Sequence, residues 1–366
     1  MKRNILLNPG PATTTDSVKA ALMVPDICPR EVEFGELTQS VLKKIVQVVN
    51  GGDTHSAVIF TGSGTAGVEA ALSSVVPPEG KILILDNGAY GKRAEIIVQS
   101  YGIGSQTYRI DWGDFPDIDE IESIFKEDPG FTHFVFVHHE TTTGMLNPLP
   151  ELLGLCQKYE VDSIVDAMSS YAGLPIDITE LPIDYLISSS NKCIQGMAGT
   201  SFVIANKEKL IKTSEIPPRN LYLNLWGNHN YIEKTGQFQF TPPVQIVYAL
   251  NQALDEFFEE TQERRTARYV KSYETLLGGI EKVGLELLLP KSQHSKLLTA
   301  IVEPKSSGYD FMSMHDYFYA KDITIYPGKG AKHDTFRVAN IGEINYQDML
   351  VFNELLFQYF EENKIM

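Results

Sequence analysis

Six short runs rich in Val, Ile and Phe recur along the first 205 residues, at 57–60, 81–85, 133–137, 161–165, 185–188 and 201–205. Each is bounded by Gly, Asn, Asp or Ser, and runs of this length and composition form buried strands. Helical patterns lie between many of them, as at 67–75 and 149–159. Strands that alternate with helices pair in parallel, because each crossover helix packs back on the sheet. The expected fold class is therefore α/β, with a mostly parallel central sheet covered on both faces.

The first fifteen residues, rich in Pro, Asn, Gly and Thr, predict an arm or loop. A helical pattern runs from about Ser17 into the forties. The texture changes at Pro243, where Val247, Leu250, Leu254, Phe257 and Phe258 mark a long amphipathic helix. Short strand-like and helical pieces follow Gly278-Gly279, and a last helix carries Met349, Phe352, Leu356 and Phe360 on one stripe. These changes predict an arm over 1–15, a large domain over 16–255 and a smaller α+β domain over 256–366.

The net charge of -16 argues against a nucleic-acid or anionic-membrane partner, which needs a basic face. It leaves open a small anion held by a few placed donors. No apolar run has the roughly 18 residues of a membrane span. The stretch after Lys2 and Arg3 is too short for a signal peptide, so the expected compartment is the cytoplasm. Cys28, Cys156 and Cys193 have the spacing of neither a disulfide framework nor a zinc site, and read as reduced thiols.

Candidate chemistry collects where strands end. Thr61 to Ala71, TGSGTAGVEAA, runs from a strand through Ser63, Gly64 and Thr65 into a helix. Glycines and a helix N-terminus can cradle an anion, or simply make a tight turn. No Lys-Ser or Lys-Thr pair supports a nucleotide loop. Tyr90 in NGAYGKR is either a stacking ring or a core tyrosine. Glu140 and Thr141 in HHETTTGMLNP are cleft residues, and His138 and His139 lack metal-ligand spacing. Asp166 ends a strand, where it can pair with a cationic ring nitrogen or cap the next turn. Lys192 follows another strand in SSSNKCIQG, as a desolvated imine-forming amine or a loop lysine. Arg337 in FRVANIGE is an acid clamp or a surface ion pair. An anion cradle, a ring stacker, a ring-nitrogen carboxylate and an imine lysine together are the parts of a pyridoxal 5'-phosphate site.

The succession NPGP, GSGT, NGAYG, HETTTGMLNP, VDAMSS, DYLISSSNKCIQG, YPGK and FRVANIGE resembles the class V aminotransferases, of PLP-dependent transferase fold type I, over nearly the whole chain. ETTTGMLNP, VDAMSS and SSNKCIQG point within that family to the members acting on a small aminophosphonate. The resemblance implies pyridoxal 5'-phosphate as cofactor and Lys192 as its Schiff-base residue. It implies that Asp166 keeps the pyridine nitrogen protonated and that Tyr90, often a tryptophan in relatives, stacks on the ring. Ser63, Gly64 and Thr65 would bind the cofactor phosphate, and Thr141 would contact the cofactor. Thr241 would reach the phosphate of a neighbouring subunit, as homodimers with shared sites require. Arg337 would bind the acidic group of substrate, and the Pro9-Gly10 turn would line the entrance. Arg30 and Lys329 are either further phosphonate contacts or structural residues. The implied reaction is amino transfer from 2-aminoethylphosphonate to pyruvate, giving phosphonoacetaldehyde and L-alanine, in phosphonate degradation. The alternatives are alanine– or serine–glyoxylate exchange within the same family, a lyase or desulfurase on the same cofactor, of which the desulfurase needs a mobile catalytic cysteine, and a non-enzymatic binding protein of this fold, against which Lys192 and Asp166 count.

Overall fold

Seven strands build the central sheet of the computed structural model, which describes residues 2–328 and 334–365. They are β1 (His55–Thr61), β2 (Lys81–Asp86), β3 (Gly104–Arg109), β4 (Phe131–Val137), β5 (Asp162–Asp166), β6 (Tyr185–Ser189) and β7 (Thr200–Asn206). Their spatial order is β1-β7-β6-β5-β4-β2-β3. Only β7 runs antiparallel to its neighbours; all other pairs are parallel. The mostly parallel α/β sheet expected from the apolar runs is thus present, with β3 as a strand those runs did not announce.

Side chains that alternate along each strand divide between two cores, as the period of two requires. Leu83, Leu85, Phe134, Phe136, Val165, Leu186 and Phe202 face one core. Ile82, Ile84, Val135, Ile164, Ile187 and Val203 face the other. The helices Val32–Gln47, Leu149–Lys158 and Val244–Glu260 contribute to the first, and Gly64–Val75 and Ala89–Ser100 to the second. Apolar faces on both sides explain why the strand sequences are nearly continuous hydrophobic runs.

A third core contains Ile301, Phe318, Phe336, Met349, Phe352, Leu356 and Phe360. It packs beneath a small sheet of β8 (Leu298–Val302), β9 (Tyr326–Pro327) and β10 (Thr335–Ala339), with β10 in the middle. Residue 255 lies inside the helix Val244–Glu260, which is followed by Gln262–Lys282.

Two local expectations need correction. The helical pattern from Ser17 is two helices, Asp16–Ala20 and Val32–Gln47. Pro25 and Pro29 lie between them and interrupt helix, since proline lacks an amide and restricts the residue before it. The N-terminal arm is also more than a loop. Ile5–Leu6 pairs in parallel with Ile323–Thr324, and Leu7 is fully buried in the third core. Further along, the Ala12 amide donates to the Asn191 carbonyl. Lys329 lies outside the described residues.

Candidate active site

The carboxyl ends of β1, β2, β4, β5 and β6 open on one edge of the sheet, the edge where open α/β folds bind ligands. A pocket of about 720 Å³, counted to its open mouth, lies there. Ser63, Gly64, Thr65, Tyr90, Thr141, Asp166 and Lys192 all line it. Seven sequence-predicted residues from five separate segments therefore converge.

The glycine turn after β1 brings the helix Gly64–Val75 to the pocket end-on. Ser63 is its N-cap but makes no side-chain cap bond, so its hydroxyl is free for another partner. The Ala66 amide donates to the Ser63 carbonyl, and the Gly64 and Thr65 amides come before that first helical bond. Gly64 packs closely on Met168: a Cβ there would lie 2.4 Å from the Met168 sulfur, so that side chain would have to move.

The loop after β4 fixes the opposite side. The helix Ala89–Ser100 starts at Gly88, which has no side chain to cap it. Two side chains from the β4 loop replace that cap: Thr142 Oγ1 accepts from the Ala89 amide (3.0 Å) and Glu140 Oε2 from the Tyr90 amide (3.2 Å). Glu140 Oε1 accepts from the Thr142 amide and hydroxyl, at 3.0 and 2.6 Å. Burial raises the Glu140 carboxyl to about 7, against the pull of these donors. Thr141, between them, has a buried hydroxyl oxygen with no partner among the described residues.

Asp166 closes β5. Its Oδ1 accepts from the Met168 amide (2.9 Å), so the turn-capping role is real. Its other oxygen has no hydrogen bond among the described residues and remains for a ligand. Burial raises the carboxyl to about 6, and the Met168 amide, Arg93 and Lys192 oppose the shift. Lys192 follows β6. Burial lowers its amine to about 8, with smaller contributions from Arg93 and Arg337 in the same sense. The amine donates to the Pro9 carbonyl. Gly10, at φ 131°, leaves the space: a Cβ would stand 2.4 Å from Nζ. The Pro9-Gly10 turn thus lies against Lys192.

Arg337 sits behind this wall rather than in it. It is buried in β10, donates through Nη1 to the Thr141 carbonyl (3.0 Å) and through Nε and Nη2 to the Pro327 carbonyl (3.0 and 2.7 Å). No carboxylate among the described residues pairs with it, which rules out the surface ion pair. Thr241 is exposed outside the pocket, and its carbonyl lies 3.5 Å from Thr61 Oγ1 at the end of β1. Arg30 is also outside the lining, with its guanidinium on the Phe238 and Gln239 carbonyls.

Arg93, His139, Met168 and Asn191 also line the pocket, although none was marked as a site residue from sequence. Arg93 had a signal: it stands three residues after Tyr90 at a helix start, hence on the same face. His139 is neutral, lowered to about 3 mainly by burial, and bonds Ser295 Oγ and the Ser169 carbonyl. It is a packing element of the floor.

A fold of this topology with a lysine, a carboxylate and a helix N-terminus at one sheet edge defines an aminotransferase-type architecture. The aminotransferase class-V family model matches residues 26–330, and the chain belongs to that family. It is 40% identical over 348 residues to a 2-aminoethylphosphonate–pyruvate transaminase of Klebsiella pneumoniae, covering 94% of each chain. The same identity over 348 residues links it to a bifunctional phosphonoacetaldehyde hydrolase/aminoethylphosphonate transaminase of Clostridioides difficile. The chain spans only 54% of that longer relative. Among solved structures, ureidoglycine–glyoxylate aminotransferase from Bacillus subtilis superposes with a TM-score of 0.91 at 22% identity, over 100% of this chain and 94% of that one. At that identity the match speaks for the fold.

Proposed function

We propose that the protein transfers the amino group of 2-aminoethylphosphonate to pyruvate, giving phosphonoacetaldehyde and L-alanine, with pyridoxal 5'-phosphate as cofactor. The observation that carries the reading is a lysine amine of lowered pKa in one pocket with an open aspartate oxygen, an aromatic ring and a helix N-terminus. The substrate pair rests on the relatives of 40% identity that bear this activity in their names.

The residues present fit the cofactor. Ser63, Gly64 and Thr65 offer hydroxyls and amides to a phosphate. The unpartnered Thr141 hydroxyl and the free Asp166 oxygen are groups that a bound ligand would satisfy. When bound, pyridoxal 5'-phosphate supplies an electron sink for charge developing at the substrate carbon.

The chain supplies the rest. Lys192 Nζ is the attaching nucleophile and, once free, the group that takes up and delivers the proton at the substrate carbon. A pKa of about 8 keeps a useful fraction neutral near pH 7. The Pro9 carbonyl gives the free amine a fixed hydrogen-bonded position. Asp166 holds a proton at the ring nitrogen. Arg337 binds the phosphonate in one half-reaction and the carboxylate in the other, since both acids present paired oxygens to its fork. Its bonds to neutral carbonyls leave its charge uncompensated for that purpose.

The same reading makes the protein a cytoplasmic homodimer in which Thr241 serves the partner's cofactor phosphate. It divides each chain into the arm, the cofactor-binding part and the smaller C-terminal part. Exposure of Thr241 supports the shared site, and no helix among the described residues is long and apolar enough to cross a membrane. Purified protein should carry a visible band near ~400 nm. Borohydride should fix the cofactor mass on the peptide holding Lys192. A label on another lysine, or none, contradicts the assignment.

A further inference from the structure

The phosphate cradle raises a charge problem. A phosphate monoester carries about -1.5 to -2 charges near neutral pH, while a helix N-terminus offers roughly half a positive charge. Ser63, Gly64 and Thr65 add neutral donors only. The chain as a whole, at -16, gives no favourable background. A dianion in such a setting needs a full cation beside it.

Among the described residues that line the pocket, two are cations, Lys192 and Arg93. Lys192 is committed to the chemistry and follows β6. Arg337 is held on the far side of Thr141 by the Thr141 and Pro327 carbonyls. Lys92 is turned to Glu95. Arg93 is different on each count. Its Nη1 donates to Thr65 Oγ1 at 3.2 Å, which aims it at the glycine turn. No carboxylate among the described residues forms an ion pair with it, although Asp166 lies close enough to feel its charge. Its guanidinium lies 4.7 Å from the Tyr90 ring centroid, and among the described residues its other N–H donors have no hydrogen bond.

We propose that Arg93 is the charge-bearing anchor of the cofactor phosphate, aimed at the glycine turn by Thr65 and steadied by the Tyr90 ring. The inference rests on the pocket being a pyridoxal 5'-phosphate site. It adds a guanidinium to a cradle that sequence reading built from hydroxyls and glycine alone. It also gives the NGAYGKR motif two functional members, one for the ring and one for the phosphate, a single helical turn apart.

The test compares two probes on the apoprotein, pyridoxal 5'-phosphate and pyridoxal, which differ only in the phosphate. Dissociation constants are read from protein fluorescence. In Arg93→Gln the affinity for pyridoxal 5'-phosphate should fall roughly 10- to 100-fold, the worth of a hydrogen bond to a charged group. Pyridoxal should change by less than about twofold on the same grounds. Arg93→Lys, which keeps charge but loses the fork, should be intermediate. An unchanged preference for the phosphorylated probe overturns the proposal. It does so whether neither affinity moves or both fall together, the latter being the mark of an arginine that only supports Tyr90. If Arg93→Gln does not give folded apoprotein, the preference of Arg93→Lys decides alone, and wild-type preference there overturns the proposal. Wild-type apoprotein that binds neither probe overturns the cofactor reading itself, an outcome distinct from the others.

Discussion

Lys192 and Asp166 are perturbed in opposite senses by one cause. Burial penalises the charged form of each, lowering the amine to about 8 and raising the carboxyl to about 6. For Asp166 the folded pKa lies above the unfolded value of 3.8, so its contribution is intact below that pH and is lost as pH rises through about 6. The apoprotein therefore bears a cost at pH 8 that a bound cationic ring would relieve. Asp166→Asn should make the apoprotein more stable at pH 8 by on the order of 1–3 kcal/mol, with the gain fading by pH 4. Urea denaturation at the two pH values checks this, and equal stability at pH 8 would mean that the carboxylate is well solvated. Gly10→Ala places a Cβ against Lys192 at a φ of 131°, so the lysine must move. We expect that variant to lose most of its visible band while its far-UV spectrum is retained. Arg337→Ala should lower kcat/KM for both the aminophosphonate and pyruvate by roughly 30- to 100-fold, since one guanidinium serves both acids. A loss confined to one substrate would show that the two acids bind at separate places.

At the scale of elements, strand ends were legible because burial on both faces wrote each strand as an apolar run and each loop as a polar break. That is how Ser63, Tyr90, Thr141, Asp166 and Lys192 could be marked before their convergence was visible. The missed strand, Gly104–Arg109, is an edge strand whose only buried residue is Tyr108, so it carries no apolar run. The reversed direction of β7 was also illegible, since Phe202 and Val203 would be buried in either direction. The arm's pairing with Ile323–Thr324 depends on residues more than 300 positions away, and no local pattern encodes it. Nor could sequence indicate that Glu140 and Thr142 cap the helix bearing Tyr90, because the cap comes from another loop across a glycine. This cap yields a stability prediction. Thr142→Val should cost about 1 kcal/mol and Thr142→Ser much less, as for other helix caps. A larger loss in Thr142→Ser than in Thr142→Val would assign the effect to packing of the threonine methyl.

For the whole molecule, the arm fastens the C-terminal sheet to the cofactor edge. Arg3 bonds Asp348 at one end and Ala12 meets Asn191 at the other, with the Lys192–Pro9 contact between. Lys192, in the pocket, and Arg337, behind its Thr141 wall, lie in different parts of the chain and are thereby held together. The shared-site dimer makes a quantitative prediction of its own. Mixing unfolded Lys192→Ala and Thr241→Ala chains and refolding them should produce hybrids with one intact site, restoring up to about a quarter of wild-type activity. No recovery above the parents would place Thr241 in its own chain's site. Purified protein loaded with pyridoxal 5'-phosphate is supplied with pyruvate and, in separate runs, 2-aminoethylphosphonate, L-serine or L-alanine with glyoxylate. 2-Aminoethylphosphonate with pyruvate should give L-alanine and phosphonoacetaldehyde at a kcat/KM well above the other pairs; turnover of serine or alanine with glyoxylate and none of 2-aminoethylphosphonate would contradict the proposed reaction.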